Sequence, residues 1–376
     1  MNEIEKHISE KNYDEAIQEC MRNNLNNLGL FLSNITNPQS PYIIQQFQTN
    51  IKGIQTEGKI VEESVDESVE ENTKLLSDDE KPFIRVKLLT NWTSPENIRE
   101  IWNKMSQGNY TWNNIRIVLD DDPDYFVILT SPPAGFDPDP AKTIIFRMEP
   151  FMEKNEIWGK WGSPDADKYF KVCYHKTEYN NLEWHLSKTY TQLKTEVITK
   201  NENNNNIMST VLSSRYQDTG HIKRIDFVKY LEKKKMQVDV FGFDNKWGHV
   251  NYKGSLPSLS KDDAMFPYKY VFNVENNSVK NYFTEKLVDG ILAECLVFYS
   301  GCYNVKDFID ERAFVYLELS NFEADYNTIK NSIENNLWEE RLPYIKEAKK
   351  KILDYLQMFP RLERIINKTE DQKYIG

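Results

Sequence analysis

A chain of 376 residues exceeds what one hydrophobic core usually organises, and 39% hydrophobic with 13% aromatic residues is material for more than one. Its formal net charge of -11 argues against broad contact with nucleic acid or an anionic membrane, so any anion site must be assembled locally from a few placed cations. Cys20, Cys173, Cys295 and Cys302 show no CxxC spacing, which fits reduced thiols in a cytoplasmic compartment better than a disulfide framework or a zinc site.

The start, Met1-Asn2-Glu3, carries no basic-then-apolar leader pattern, and no apolar run approaches the about 20 residues of a membrane span. The expectation is therefore a cytoplasmic protein without a membrane anchor. Residues 1–55 read as a small helical module, with Ile4, Ile8, Ala16, Ile17, Cys20 and Met21 at helical spacing and Ile44, Phe47, Ile51 and Ile54 as a second stripe. They offer a surface for homo-oligomer formation; a plain appendage is the alternative. Residues 56–81 turn to Glu, Asp, Ser and Val and read as an acidic linker.

A globular pattern begins at Phe83. Ile84–Leu89 reads as a strand, and Ser94-Pro95-Glu96 caps a helix carrying Ile98, Ile101 and Trp102. Phe126–Leu129 and Thr143–Phe146 are short apolar runs bounded by Asp, Pro and Gly, the pattern of buried parallel strands. These assign 82–200 to a first α/β domain. The polar run Asn201–Asn206 reads as a hinge.

The rhythm then repeats: strands over Ile207–Leu212, Val238–Phe241, Val271–Val274 and Leu296–Tyr299, with helices over Ile222–Leu231 and Thr284–Glu294. This gives a second domain over 207–343 and a closing amphipathic helix within 344–376, with Ile345, Ile352, Leu356 and Phe359 on one face. The architecture expected is α/β, two Rossmann-like domains facing a cleft, with ligand at the strand carboxyl ends.

The stretch Tyr268 to Gly301 carries most of the chemistry. A strand leads through a polar loop holding Glu275, Asn276 and Asn277 to a helix capped by Thr284, with Glu285 and Lys286 in its first turn. A helix N-terminus favours phosphate, and a lysine there conflicts with the dipole unless an anion is bound. The alternative is that Lys286 pairs with Glu285 or Glu294 on a solvated face.

Together with the separation of Glu275 from Tyr282, the run Tyr282-Phe283-Thr284-Glu285-Lys286-Leu287 resembles the signature of the α-1,3/4-fucosyltransferases, glycosyltransferase family 10. Gly220-His221 with Arg224, Phe227 and Leu231, and later Asp239 and Phe241-Gly242, fit its microbial branch. Asn277 in place of the usual serine, and Tyr303 in place of the usual proline after Gly301-Cys302, depart from it.

The resemblance implies a GT-B fold and inverting transfer of fucose from GDP-fucose to a glycan hydroxyl, with no metal or other cofactor. It makes Arg224 and Lys286 the cations on the donor diphosphate, Glu285 a ribose-binding acid and Tyr282 a donor-site aromatic, with Glu275 and Asn276 beside them. Glu149, after the strand 143–146 and stiffened by Pro150, matches the family's base; Glu153 and Glu156 stay open as alternatives. A same-fold enzyme using another GDP-hexose, and a silent glycan- or protein-binding scaffold, are the rival readings. Asp120-Asp121-Asp122 invites a metal but reads as a solvated turn, and the five histidines show no zinc spacing.

Overall fold

The computed structural model describes residues 83–150, 161–179, 182–204, 207–257 and 260–369. The expected module over 1–55, the linker over 56–81, and Glu153 and Glu156 lie outside them.

The apolar runs become β1 (Ile84–Thr90), β4 (Tyr125–Leu129) and β5 (Thr143–Phe146), paired side by side in parallel. Between β1 and β4 come helix α1 (Pro95–Asn103), capped by Ser94, and a small antiparallel pair, β2 (Thr111–Trp112) with β3 (Ile115–Ile117). β6 (Lys171–Cys173) closes a six-stranded sheet of order β2-β3-β1-β4-β5-β6. Alternate residues of its strands serve two cores. Val86, Leu88, Val127, Leu129, Ile144 and Phe146 join the main one, while Leu89, Phe126, Ile128 and Ile145 pack on the opposite face with Tyr169 and Val172.

Helix α2 (Tyr190–Thr195) precedes the second sheet. That sheet runs β7 (Met208–Val211), helix α3 (Thr219–Lys233), β8 (Val238–Phe241), β9 (Tyr252–Gly254), the short helix α4 (Asp262–Met265), β10 (Tyr270–Val274), helix α5 (Glu285–Leu292), β11 (Leu296–Ser300) and β12 (Phe314–Tyr316). The order is β12-β11-β10-β7-β8-β9, with every pair parallel. β10 and β11 are buried along their whole length, as strands covered on both faces must be. The fold is thus α/β with two Rossmann-like sheets, a GT-B-like layout.

Two glycines set the helices on this sheet. A Cβ at Gly290 would lie 2.5 Å from Val297 Cγ2 and 3.0 Å from Val271 Cγ2, so only glycine lets α5 settle onto β10 and β11. A Cβ at Gly220 would lie 1.8 Å from the Glu275 carbonyl, so the loop after β10 presses directly on the start of α3.

The expected single closing helix is broken. After α6 (Phe322–Glu334), helix α7 (Leu337–Lys351) widens into a π turn at Ile352–Leu356, and α8 (Met358–Ile366) starts afresh. Pro360 has no N–H to give the carbonyl four residues back, which favours a break there, although α7 accommodates Pro343 in its interior. Gln357, extended at φ -67° and ψ 168°, caps the new helix by accepting from the Phe359 N–H. α8 then returns to the first sheet. Phe359 stacks on Trp112 at 6.0 Å, and Glu363 accepts from the Trp112 indole at 3.2 Å and the Asn113 amide at 2.8 Å.

Candidate functional site

The chain leaves β7 for β8 and β9 on one side, then returns to place β10 on the other. The crevice at the carboxyl ends of β7 and β10 is therefore the topological switch point of the second sheet, where such sheets bind ligands. A cleft of about 450 Å³ opens there. Leu212 and Ser213 follow β7, Gly242 and Phe243 follow β8, and Asn273 and Asn276 come from β10 and its loop; Arg224, Glu285 and Lys286 come from the first turns of α3 and α5.

Arg224 is 5% exposed and has no carboxylate within ion-pair distance among the described residues. Its guanidinium donates to Ser213 Oγ at 2.8 Å, and to Asn276 Oδ1 and the Val274 carbonyl at 3.3 Å each, while Nε has no partner. Burial pulls its pKa down to about 10, with Glu275 and Glu285 opposing, so it stays charged at neutral pH. A buried cation held by neutral acceptors lacks a close counter-charge, and Arg224 lines the cleft.

Beside it, His221 takes the backbone N–H of Asp218 on Nδ1 at 3.4 Å. Burial first, and Arg224 next, bring its pKa down to about 4. The ring is neutral at pH 7, with Nδ1 also 3.4 Å from Asp218 Oδ2.

Lys286 lines the cleft with Arg224, but acids of the chain already surround it. Glu275, 1% exposed, accepts from the N–H and hydroxyl of Thr284, the cap of α5, at 2.8 Å each. Lys286 Nζ lies 3.1 Å from Glu285 Oε1 and 3.6 Å from Glu275 Oε2. Its conflict with the helix dipole is thus relieved by two carboxylates of the chain itself. Although burial alone would lower it, Glu285 and Glu275 hold the Lys286 pKa above the usual lysine value. Glu294, the other expected partner, pairs with Lys349 at 2.8 Å instead. Burial pushes the Glu275 carboxyl up, with Lys286 opposing, which marks it as a buried clamp between β10 and α5.

Arg224, Asn276, Glu285 and Lys286 therefore share the cleft, whereas Glu275 and Tyr282 lie behind its wall. Tyr282 is 2% exposed and points to the first sheet, its hydroxyl 3.3 Å from Glu149 Oε2. Burial, then Glu149, raises its pKa well above 10, so it donates as a neutral phenol. Asn281, just before it, donates to the His175 carbonyl at 2.9 Å. Glu149 is exposed in the loop after β5.

Sequence reasoning missed several cleft residues. His185 belongs to the segment before the second sheet, yet lines the cleft, as do Lys261 and the 86% exposed Phe243. None stands in a motif; only the return of the chain brings them there. The acids 120–122 pair with Arg85, Lys87 and Lys142, as a solvated turn would. Among the described residues no group of three or more His, Cys, Asp or Glu is arranged to hold a metal.

The class of this two-sheet chain, with its cation-lined cleft at the second switch point, comes from a family match over the second sheet. Residues 201–353 match the family model for glycosyltransferase family 10 (fucosyltransferase), C-terminal part, a stretch that holds β7 through α7. The chain is a glycosyltransferase that resembles this family in its second sheet. No curated protein matches it. Solved structures of similar layout include an α1,3-fucosyltransferase with GDP, at 18% identity over 80% of this chain and 94% of that one, TM-score 0.47. The α1,3-fucosyltransferase with GDP-fucose gives 17% identity over 81% and 95%, TM-score 0.47. WaaG, a glycosyltransferase involved in lipopolysaccharide biosynthesis, gives 10% identity over 77% and 100%, TM-score 0.42. Among the described residues no helix is long and apolar enough to cross a membrane.

Proposed function

We propose that the chain transfers fucose from GDP-fucose to a hydroxyl of a glycan acceptor, with inversion at the sugar carbon. The observation that carries this reading is Arg224, a buried guanidinium lining the switch-point cleft with no acid within ion-pair distance among the described residues. A diphosphate supplies the missing charge in the forked geometry that arginine prefers.

As the sugar leaves, negative charge grows on the departing GDP. Arg224 and Lys286, with the His221 ring beside them, stabilise it electrostatically from the cleft wall. Phe243 offers a ring face at the cleft mouth for the base, and Glu285 a carboxylate for ribose hydroxyls. Glu149 takes the proton of the acceptor hydroxyl as it attacks, and Tyr282 holds that carboxylate in place from the donor side.

The test is transfer from a panel of nucleotide sugars to mixed glycans, read by the mass of the product. Addition of a deoxyhexose from GDP-fucose supports the reading. Addition of another hexose would put the rival donor in its place, and absence of GDP binding by calorimetry would overturn it altogether.

A further inference from the structure

Glu285 is held from two flanks. Lys286 approaches its Oε1 at 3.1 Å from within α5, and Lys261 approaches the same oxygen at 3.4 Å from the turn before α4. Lys261 is itself pinned. Its Nζ donates to Asp289 Oδ2 at 2.8 Å, one turn further along α5, and its backbone N–H donates to the His185 carbonyl at 2.7 Å. Asp289, fully buried, returns through Oδ1 to accept the His185 N–H at 2.7 Å. The result is a closed ring of Lys261, Asp289 and the His185 backbone that fixes one ammonium beside the cleft carboxylate.

This ring does something Lys286 cannot. Lys286 is shared with Glu275 and Thr284, so alone it would draw the Glu285 side chain back toward the helix start. Lys261 reaches the same oxygen from a different element, anchored by Asp289 rather than by Glu275. Both cations meet Oε1, and Glu285 lines the cleft, where a ligand hydroxyl can reach its carboxylate. Burial would raise the Glu285 pKa, but Lys286, Lys261 and His185 together hold it well below the usual carboxylate range, so it accepts and does not donate.

We propose that Lys261 is a positioning residue, which turns the Glu285 carboxylate into the cleft to accept a ribose hydroxyl of the nucleotide donor. This rests on the reading of the cleft as a nucleotide site. If it holds, Lys261 sets discrimination for the ribose rather than affinity for the phosphates.

The experiment compares calorimetric binding of GDP and 2′,3′-dideoxy-GDP to the full chain. Wild type should prefer GDP by about 10-fold or more, the worth of a hydrogen bond to a charged acceptor. In Lys261→Gln the preference should fall to about 2-fold while dideoxy-GDP binds as before, and Lys261→Arg should restore most of it. Asp289→Asn, which unpins Lys261 but keeps an acceptor for His185, should show a partial loss and serves if Lys261→Gln does not fold. An undiminished preference in Lys261→Gln, or in Asp289→Asn where that variant decides, would overturn the proposal. So would equal binding of both nucleotides to wild type, which leaves the nucleotide site standing. No GDP binding to wild type would instead remove the site itself.

Discussion

At the carboxyl end of the second sheet, Arg224, Lys261, Lys286, Glu275 and Glu285 are all at least half-buried and cross-linked by short polar contacts. At the same end of the first sheet the described residues are more mixed: Arg147 and His175 are buried, but Glu149 is exposed, Trp92 is 54% exposed, and Phe136 packs edge-on against Phe126. The difference follows from what each mouth would hold. A diphosphate demands desolvated, pre-set charge, whereas an acceptor sugar needs an accessible surface and one base. The two meet in the loop before α5, whose Asn281 and Tyr282 reach across to His175 and Glu149.

The largest effect expected comes from the open side. Glu149→Gln should lower turnover by about 10²–10⁴-fold, as loss of a general base does, while GDP affinity stays near wild type. Stopped transfer with intact GDP binding would confirm the division of labour. A normal rate would move the base elsewhere, with Glu153 next to examine.

The next largest belongs to the buried side. Arg224→Ala should weaken GDP binding about 10- to 100-fold, since charge-assisted bonds to phosphate are worth about 1.5–3 kcal/mol. Lys286→Ala should cost less, because its ammonium is already balanced by Glu285 and Glu275. Calorimetry on the pair checks the ranking; equal losses would mean that a bound nucleotide displaces those acids from Lys286.

How much of this was legible in the sequence follows the same contrast. The strands around Arg224 and Lys286 read clearly because buried parallel strands are short unbroken apolar runs, such as Val271–Val274 and Leu296–Tyr299. Thr284 as a cap was legible because capping is local. Glu275 was not: its place among donor residues in the motif gave no sign that its carboxylate turns back onto Thr284. β2, β3, β6, β9 and β12, of two or three residues each, were missed because such strands carry no periodicity. Lys261 and His185 were missed because their neighbours lie 24 to 104 positions away in the chain.

Tyr282 tests the seam between the two mouths. Read from the sequence it belongs to the donor; in the structure its phenol serves Glu149. Tyr282→Phe should reduce kcat by about 10-fold, the lower end for a hydrogen bond to a charged group, and leave GDP affinity unchanged. Weaker GDP binding at an unaltered kcat would return it to the donor side.

The smallest effect concerns His221, and its sign can be worked out. In the folded chain its pKa is about 4, below the ordinary 6.5, chiefly through burial and then through Arg224. The unfolded chain therefore holds more protons between those values, so stability should be full above about pH 6.5 and decline as pH falls toward 4. Melting temperatures between pH 7.5 and 4.5 should show this slope in wild type, and His221→Gln should flatten it by on the order of 2–4 °C. A bound diphosphate reverses the local field, since its charge offsets Arg224 and favours the imidazolium. GDP should raise the His221 pKa toward its ordinary value, and binding should then take up a proton below pH 6.5. An imidazole resonance followed by NMR with and without GDP measures this directly. A His221 pKa that stays put on saturation with GDP would mean that no phosphate sits beside it, and that Arg224 receives its anion from the far side of the cleft.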